Sequence, residues 1–195
     1  MTTALIVVDV QESFRQLPLW DAVSTPDIAE RVARLVGAAR ARGDRIVWIL
    51  HSEPGTDSEF DPALGHVRLL DGLARGEDEP LFTKTSANAF TTTALQQELT
   101  RHGVTEVVIC GIQTELCCET TARLAGDLGY DVTFVTEATA TFPIEHRDAE
   151  PGRDLAEILA DPLTLGTGEL IVRTEYALAG RFATIRTLEE VTAAA

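Results

Sequence analysis

Three side chains of complementary chemistry each follow an apolar run. Asp9 follows Leu5-Ile6-Val7-Val8, Lys84 follows Leu81-Phe82-Thr83, and Cys117 follows Val107-Val108-Ile109-Cys110 and a connecting turn. A thiolate is the form of cysteine that attacks a carbonyl carbon, and a helix start and a nearby ammonium both favour it over the thiol. A carboxylate within reach takes up the thiol proton and returns it to a leaving amine. Backbone N–H groups of the turn before the helix would donate to the oxyanion that forms in between. The trio can therefore carry out acyl transfer through a thioester. Lys84 is also the single lysine among 16 basic residues; lysine, unlike arginine, can shift its pKa and exchange a proton when buried.

Each member has a plainer reading. An Asp that ends a strand often only caps the next turn, and a lone Lys is usually solvated. Cysteine commonly behaves as a small buried hydrophobe. Cys110, inside a strand, reads as packing. Cys118 shares the helix start but points about 100° away from Cys117, and also reads as packing.

The elements that would position the trio follow from hydrophobic patterning. Residues 5–8 form a continuous apolar run, as in a strand buried on both faces of a parallel sheet. Ile28, Val32, Leu35, Val36 and Ala39 recur at helical spacing, and Gly43 stops that helix. Residues 46–50, 81–84, 106–110 and 131–135 read as further strands, with helices over 91–102 and 117–128. In the tail, a helix near 153–159 and strands near 169–173 and 182–186 are expected. Residues 52–80 are rich in Gly, Pro, Asp and Glu, with one short helix expected around 67–73; loops of that length are uncommon unless they serve a site. Strands alternating with helices imply a three-layer, doubly wound, mostly parallel α/β sheet, with ligands at the strand C-terminal ends. Asp9, Lys84 and Cys117 then share one edge of the sheet.

Composition narrows the class. A chain of 195 residues suits a single domain with a sizeable core. A formal charge of −15 argues against nucleic acid or an anionic membrane as partner. Three cysteines, two of them adjacent, make no disulfide framework. No apolar run approaches the ~20 residues of a membrane span, and the opening Met-Thr-Thr-Ala-Leu-Ile lacks a basic leader region. A cytoplasmic location and a small-molecule substrate are expected.

The stretches Ala4-Leu5-Ile6-Val7-Val8-Asp9-Val10-Gln11-Glu12-Ser13-Phe14, Lys84-Thr85-Ser86-Ala87-Asn88-Ala89-Phe90 and Gly111-Ile112-Gln113-Thr114-Glu115-Leu116-Cys117-Cys118-Glu119-Thr120-Thr121-Ala122 resemble the isochorismatase-like cysteine hydrolases. That superfamily includes nicotinamidases, N-carbamoylsarcosine amidases and related small-amide hydrolases. The resemblance runs in order from residue 4 to about residue 142. It implies a Rossmann-type topology and a catalytic triad of Asp9, Lys84 and Cys117. The family nucleophile stands three residues after the Thr of its Gly-x-x-Thr turn, which selects Cys117 over Cys118. The resemblance further implies a cis peptide at Ile112–Gln113 and an oxyanion hole from the N–H groups of Gln113 and Cys117.

The departures from the family pattern bear on substrate. Nicotinamidases carry an Asp-x-His pair with further histidines after the second strand, which bind a metal. Here the stretch reads Ile49-Leu50-His51-Ser52-Glu53, and the next histidine is His66. No metal or other cofactor is expected, His51 and His66 read as hydrogen-bonded loop residues, and nicotinamidase activity is disfavoured. True isochorismatases, which hydrolyse a vinyl ether, look like relatives lacking the nucleophilic cysteine. Cys117 therefore points to C–N cleavage of a small amide, carbamoyl or ureido substrate. Two alternatives stay open: vinyl-ether hydrolysis with Asp9 as the acid, and a catalytically idle module that binds through residues 145–181. That segment is longer than the family ending and reads as a lid, a subunit contact or a surface excursion, with the subunit contact preferred; a homo-oligomer, a dimer or larger, is expected. Phe14, Trp20, Phe60 and Phe142 are candidates for an apolar pocket wall.

Overall fold

The computed structural model describes residues 2–193. Its elements run β1 (Thr2–Val8), α1 (Glu12–Arg15), α2 (Ile28–Arg42), β2 (Arg45–His51), β3 (Leu81–Lys84), α3 (Leu95–Arg101), β4 (Val104–Ile112), α4 (Glu119–Asp127), β5 (Asp131–Ala140), α5 (Leu155–Ala160), α6 (Thr167–Leu178), β6 (Thr184–Ile185) and α7 (Leu188–Thr192). The six strands form one sheet in the order β3-β2-β1-β4-β5-β6, and every pairing is parallel.

The continuous apolar runs are explained by the sheet having a core on each face. Alternate residues of a strand point to opposite faces. Leu5, Val7, Ile46, Trp48, Val108, Cys110 and Ile112 pack with α2 and α7 on one side. Ala4, Ile6, Val8, Val47, Ile49, Val107 and Ile109 pack with residues of α3, α4 and α6 on the other. The result is the expected three-layer α/β arrangement.

The strand order reverses between β1 and β4, which is where an open α/β sheet leaves a crevice beyond its carboxyl ends. Asp9 follows β1 there, and the turn carrying Cys117 follows β4. Lys84 is the last residue of β3, paired in register with His51 at the end of β2.

Two expectations are corrected. Residues 169–173 are not a strand but the middle of α6, which buries Leu170, Thr174 and Leu178 at four-residue spacing and leaves Val172 half-exposed. The β-branched Ile171-Val172 pair suggested a strand; burial at helical spacing overrides that preference. Residues 67–73 form no helix. Residues 68–70 instead bond to the segment after β1, with Glu12 N–H donating to Arg68 C=O (2.9 Å) and Leu70 N–H to Val10 C=O (3.0 Å), and a turn follows in which Leu73 N–H donates to Leu70 C=O (3.1 Å). The strand near 182–186 is present as the two-residue edge strand β6. The segment 145–181 holds α5 and α6, and α6 docks on its own chain through Glu119, which accepts from Arg173 and from Thr174 Oγ1 (3.0 Å).

Candidate active site

The three sequence-predicted side chains meet. Lys84 is completely buried, and its Nζ lies 2.7 Å from Asp9 Oδ2 and 3.4 Å from Cys117 Sγ. Asp9 is completely buried too, while Cys117 is half-buried and Cys110 and Cys118 are buried. An ion pair without solvent contact is held by its geometry or not at all, since each charge left alone would be strongly penalised.

Local backbone places each member. Asp9 adopts φ +53°, a left-handed conformation that Asp tolerates better than most residues. In that conformation its N–H still reaches Ile49 C=O (2.9 Å), so the residue is anchored to β2 as it leaves the sheet. The peptide Ile112–Gln113 is cis, as the resemblance implies. Residues Thr114–Cys118 form a π-helical turn in which Cys118 N–H donates to Gln113 C=O (3.1 Å). Side chains tie this turn to β5: Thr114 Oγ1 donates to Thr139 Oγ1 (2.8 Å), which donates to Thr136 C=O (2.8 Å). Thr141 Oγ1 donates to Glu115 (2.6 Å). Cys117 therefore sits at the start of a helical segment, as expected, in a wide first turn that runs directly into α4.

That position has an electrostatic consequence. Burial, reinforced by the Asp9 carboxylate, pushes the Cys117 thiol up to about 12, against the pull of the Lys84 ammonium. Burial also raises Asp9 above its ordinary 3.8, again against Lys84. Desolvation thus opposes the thiolate that the Lys84 ammonium favours. The carboxylate beside Cys117 Sγ has a raised affinity for a proton, an arrangement suited to proton transfer as the sulfur attacks.

Two residues whose roles the sequence did not disclose complete the cluster. His51 Nδ1 lies 3.4 Å from Lys84 Nζ, and its Nε2 lies 3.3 Å from Glu53. Buried Gln11 clamps the His51 backbone, accepting from its N–H (2.7 Å) and donating to its C=O (3.0 Å). Gln11 lies within a stretch that carries the resemblance, but its partner is forty residues away and no local pattern connects them. His66 pairs with Glu59 (3.4 Å). Among the described residues, no three His, Cys, Asp or Glu side chains are grouped so as to hold a metal ion.

The four aromatic candidates form one cluster. Phe14 meets Phe60 edge-on at 4.9 Å and stacks on Phe142 at 5.9 Å, and Trp20 lies 6.2 Å from Phe142. Phe60 also contacts the His51 ring at 5.6 Å, which joins the cluster to the polar site. Among the described residues, no helix is long and apolar enough to cross a membrane.

Comparison with known proteins agrees with this fold. The family described as Isochorismatase domain matches residues 3–161. Nicotinamidase 3 of Arabidopsis thaliana is 35% identical over 164 residues, covering 75% of this chain and 77% of that one. A streptothricin hydrolase of Streptomyces noursei is 37% identical over 152 residues, covering 76% of this chain and 57% of that one. The crystal structure of an isochorismatase from Pseudomonas putida superposes with a TM-score of 0.81 at 27% identity, covering 96% of this chain and 89% of that one.

Proposed function

The chain belongs to the isochorismatase family of hydrolases, and on that footing we propose that it is a cysteine amidohydrolase acting on a small amide, carbamoyl or ureido substrate. The observation that carries the reading is the contact of one buried ammonium with both a carboxylate and a thiol, Lys84 Nζ with Asp9 Oδ2 and Cys117 Sγ. The relatives named as a nicotinamidase and a streptothricin hydrolase support hydrolysis of an amide. Ile49, fully buried where nicotinamidases place the Asp of their metal pair, argues for a substrate other than nicotinamide.

In this mechanism Asp9 takes the Cys117 proton as sulfur attacks the carbonyl carbon. Lys84 stabilises the negative charge that passes between sulfur and carboxylate. The N–H groups of Gln113 and Cys117 receive the oxyanion. Asp9 then returns the proton to the nitrogen, ammonia or an amine departs, and a thioester remains on Cys117. Water attacks the thioester with Asp9 as base, releasing the acid and restoring the thiol. The aromatic cluster of Phe14, Trp20, Phe60 and Phe142 forms the apolar wall beside the reacting group. Vinyl-ether hydrolysis would leave the thiol idle, and the Lys84–Cys117 contact favours the thioester route.

The test is a panel of small amides, carbamates and ureido compounds scored by ammonia release, with wild-type and Cys117→Ala protein compared on any that turn over. Loss of turnover in a folded Cys117→Ala protein, together with a covalent acyl adduct on Cys117 by mass spectrometry, is expected. Full activity in that variant would overturn the covalent mechanism.

A further inference from the structure

The Lys84 ammonium has three hydrogens and no acceptor of its own. Three side-chain acceptors surround it: Asp9 Oδ2 at 2.7 Å, Cys117 Sγ at 3.4 Å and His51 Nδ1 at 3.4 Å. The first two belong to the proposed reaction. The third is not needed to explain proton transfer, yet His51 is held more tightly than a loop residue would require. Gln11 bonds both its backbone groups, Phe60 packs against its ring, and β2–β3 register sets it beside Lys84.

The tautomer of His51 follows from its partners. Lys84 can only donate, so Nδ1 is the acceptor and the ring hydrogen resides on Nε2. That hydrogen faces Glu53 Oε1 at 3.3 Å, and Ser58 Oγ donates to Glu53 Oε2 at 2.8 Å. The Ser58 hydrogen bond is also the main cause that holds the Glu53 carboxyl below its ordinary range. Glu53 and Ser58 come from the long irregular loop, whose Glu53 N–H donates to Phe60 C=O (2.9 Å) and so closes the loop on itself. The loop thus reaches the catalytic ammonium through bonds that converge on Glu53: Lys84 donates to His51, and His51 and Ser58 both donate to Glu53.

We propose that His51 is a positioning residue for Lys84, taking its third ammonium hydrogen so that the other two are aimed at Asp9 and Cys117, and that Glu53 keeps His51 in the tautomer this requires. The inference rests on the Asp9–Lys84–Cys117 reading and adds to it the device that orients its lysine. An ammonium on a four-carbon stem rotates freely about its last bond. Without a third acceptor, nothing prevents both remaining hydrogens from turning to the Asp9 carboxylate, the strongest acceptor nearby.

The experiment needs no substrate. Alkylation of Cys117 by iodoacetamide is timed at one neutral pH in wild-type protein and in His51→Leu, His51→Asn, Glu53→Leu and Lys84→Met, with thermal unfolding recorded for each. Lys84→Met is expected to slow alkylation, because the ammonium lowers the proton affinity of the thiol. His51→Leu is expected to slow it about tenfold, the scale of one hydrogen bond to a charged group. His51→Asn, whose side-chain oxygen stands near the Nδ1 position, restores the rate to within about twofold, a rescue that a merely space-filling role would not show. Glu53→Leu, at the half-exposed end of the chain, slows alkylation about threefold and reports on the same contact should His51→Leu fail to fold.

A wild-type rate in folded His51→Leu, or a His51→Asn protein no faster than His51→Leu, overturns the role of His51. A wild-type rate in Glu53→Leu overturns the role of Glu53. A wild-type rate in Lys84→Met instead overturns the underlying triad, so the two failures are distinguishable.

Discussion

Gly111 and Val8 lie side by side in β4 and β1 with no room between them: a Cβ on Gly111 would stand 1.9 Å from the Val8 carbonyl oxygen. Gly111 also adopts φ +134°, which side-chain-bearing residues rarely do. Val8 precedes Asp9, and Gly111 leads into the turn that holds Cys117. This close approach therefore sets the separation of carboxylate and thiol across the point where the strand order reverses.

Gly111→Ala is accordingly expected to damage stability and site together. The obstructing atoms are backbone and cannot rotate away, so a loss of about 3 kcal/mol is expected, the upper end of what overpacking usually costs. Denaturant unfolding measures the loss, and turnover should fall with it even below the midpoint. A variant with wild-type stability would show that the two strands separate more easily than their register suggests.

The thiol prediction concerns pH. With Cys117 pushed up to about 12, its alkylation rate should keep climbing as pH passes 9.0, the ordinary thiol value, with no plateau below it. The sign follows from burial and the Asp9 charge, which both favour the protonated form at neutral pH. Rates resolved for Cys110, Cys117 and Cys118 by peptide fragmentation check this. Cys117 should react fastest of the three because the other two are fully buried. A plateau at lower pH would mean that Lys84 outweighs desolvation.

Cys118 offers a control next door to the nucleophile. It is fully buried in the core shared with Ala122 and Ala125 of α4. Cys118→Ala should lower stability by about 1 kcal/mol, the scale of one buried methylene-sized group, while turnover of any amide found in the panel persists. Loss of turnover in a folded Cys118→Ala protein would reassign the nucleophile.

Glu79 predicts a pH-dependent contribution to stability. Partial burial opposes its ionisation, but Arg40, the Gly76 N–H and the Trp48 indole N–H together lower its pKa from 4.5 to about 2. The Trp48 bond is 2.7 Å and that side chain is completely buried in the sheet. A carboxyl depressed on folding adds stability that is fully present above about 4.5 and is lost as pH falls toward 2. Glu79→Ala should cost about 1–3 kcal/mol at neutral pH by stranding the indole N–H. The gap from wild type, followed by urea unfolding, should narrow between pH 4.5 and 2. A gap independent of pH would assign the effect to packing.

Much of the scaffold was legible from local sequence. The runs within β1, β2 and β4 are continuously apolar because both faces of the sheet are covered. Asp9, Lys84 and Cys117 could be picked out because each carries reactive chemistry and ends or follows such a run.

What escaped local reading depends on distance in the chain. The helix α6 looked like a strand around Ile171 and Val172 until burial of Leu170, Thr174 and Leu178 set its period. The state of the Cys117 thiol depends on how much water the folded turn excludes, which residue type cannot report. The contact of His51 with Lys84 depends on the register of two strands thirty-three residues apart. The sequence by itself determined the layered sheet and the three reactive side chains, because hydrophobic period and chemical type are local properties. How far burial opposes their charged forms, and which neighbours aim them, only the tertiary structure decided, because desolvation and hydrogen-bond direction exist only once distant segments are brought together.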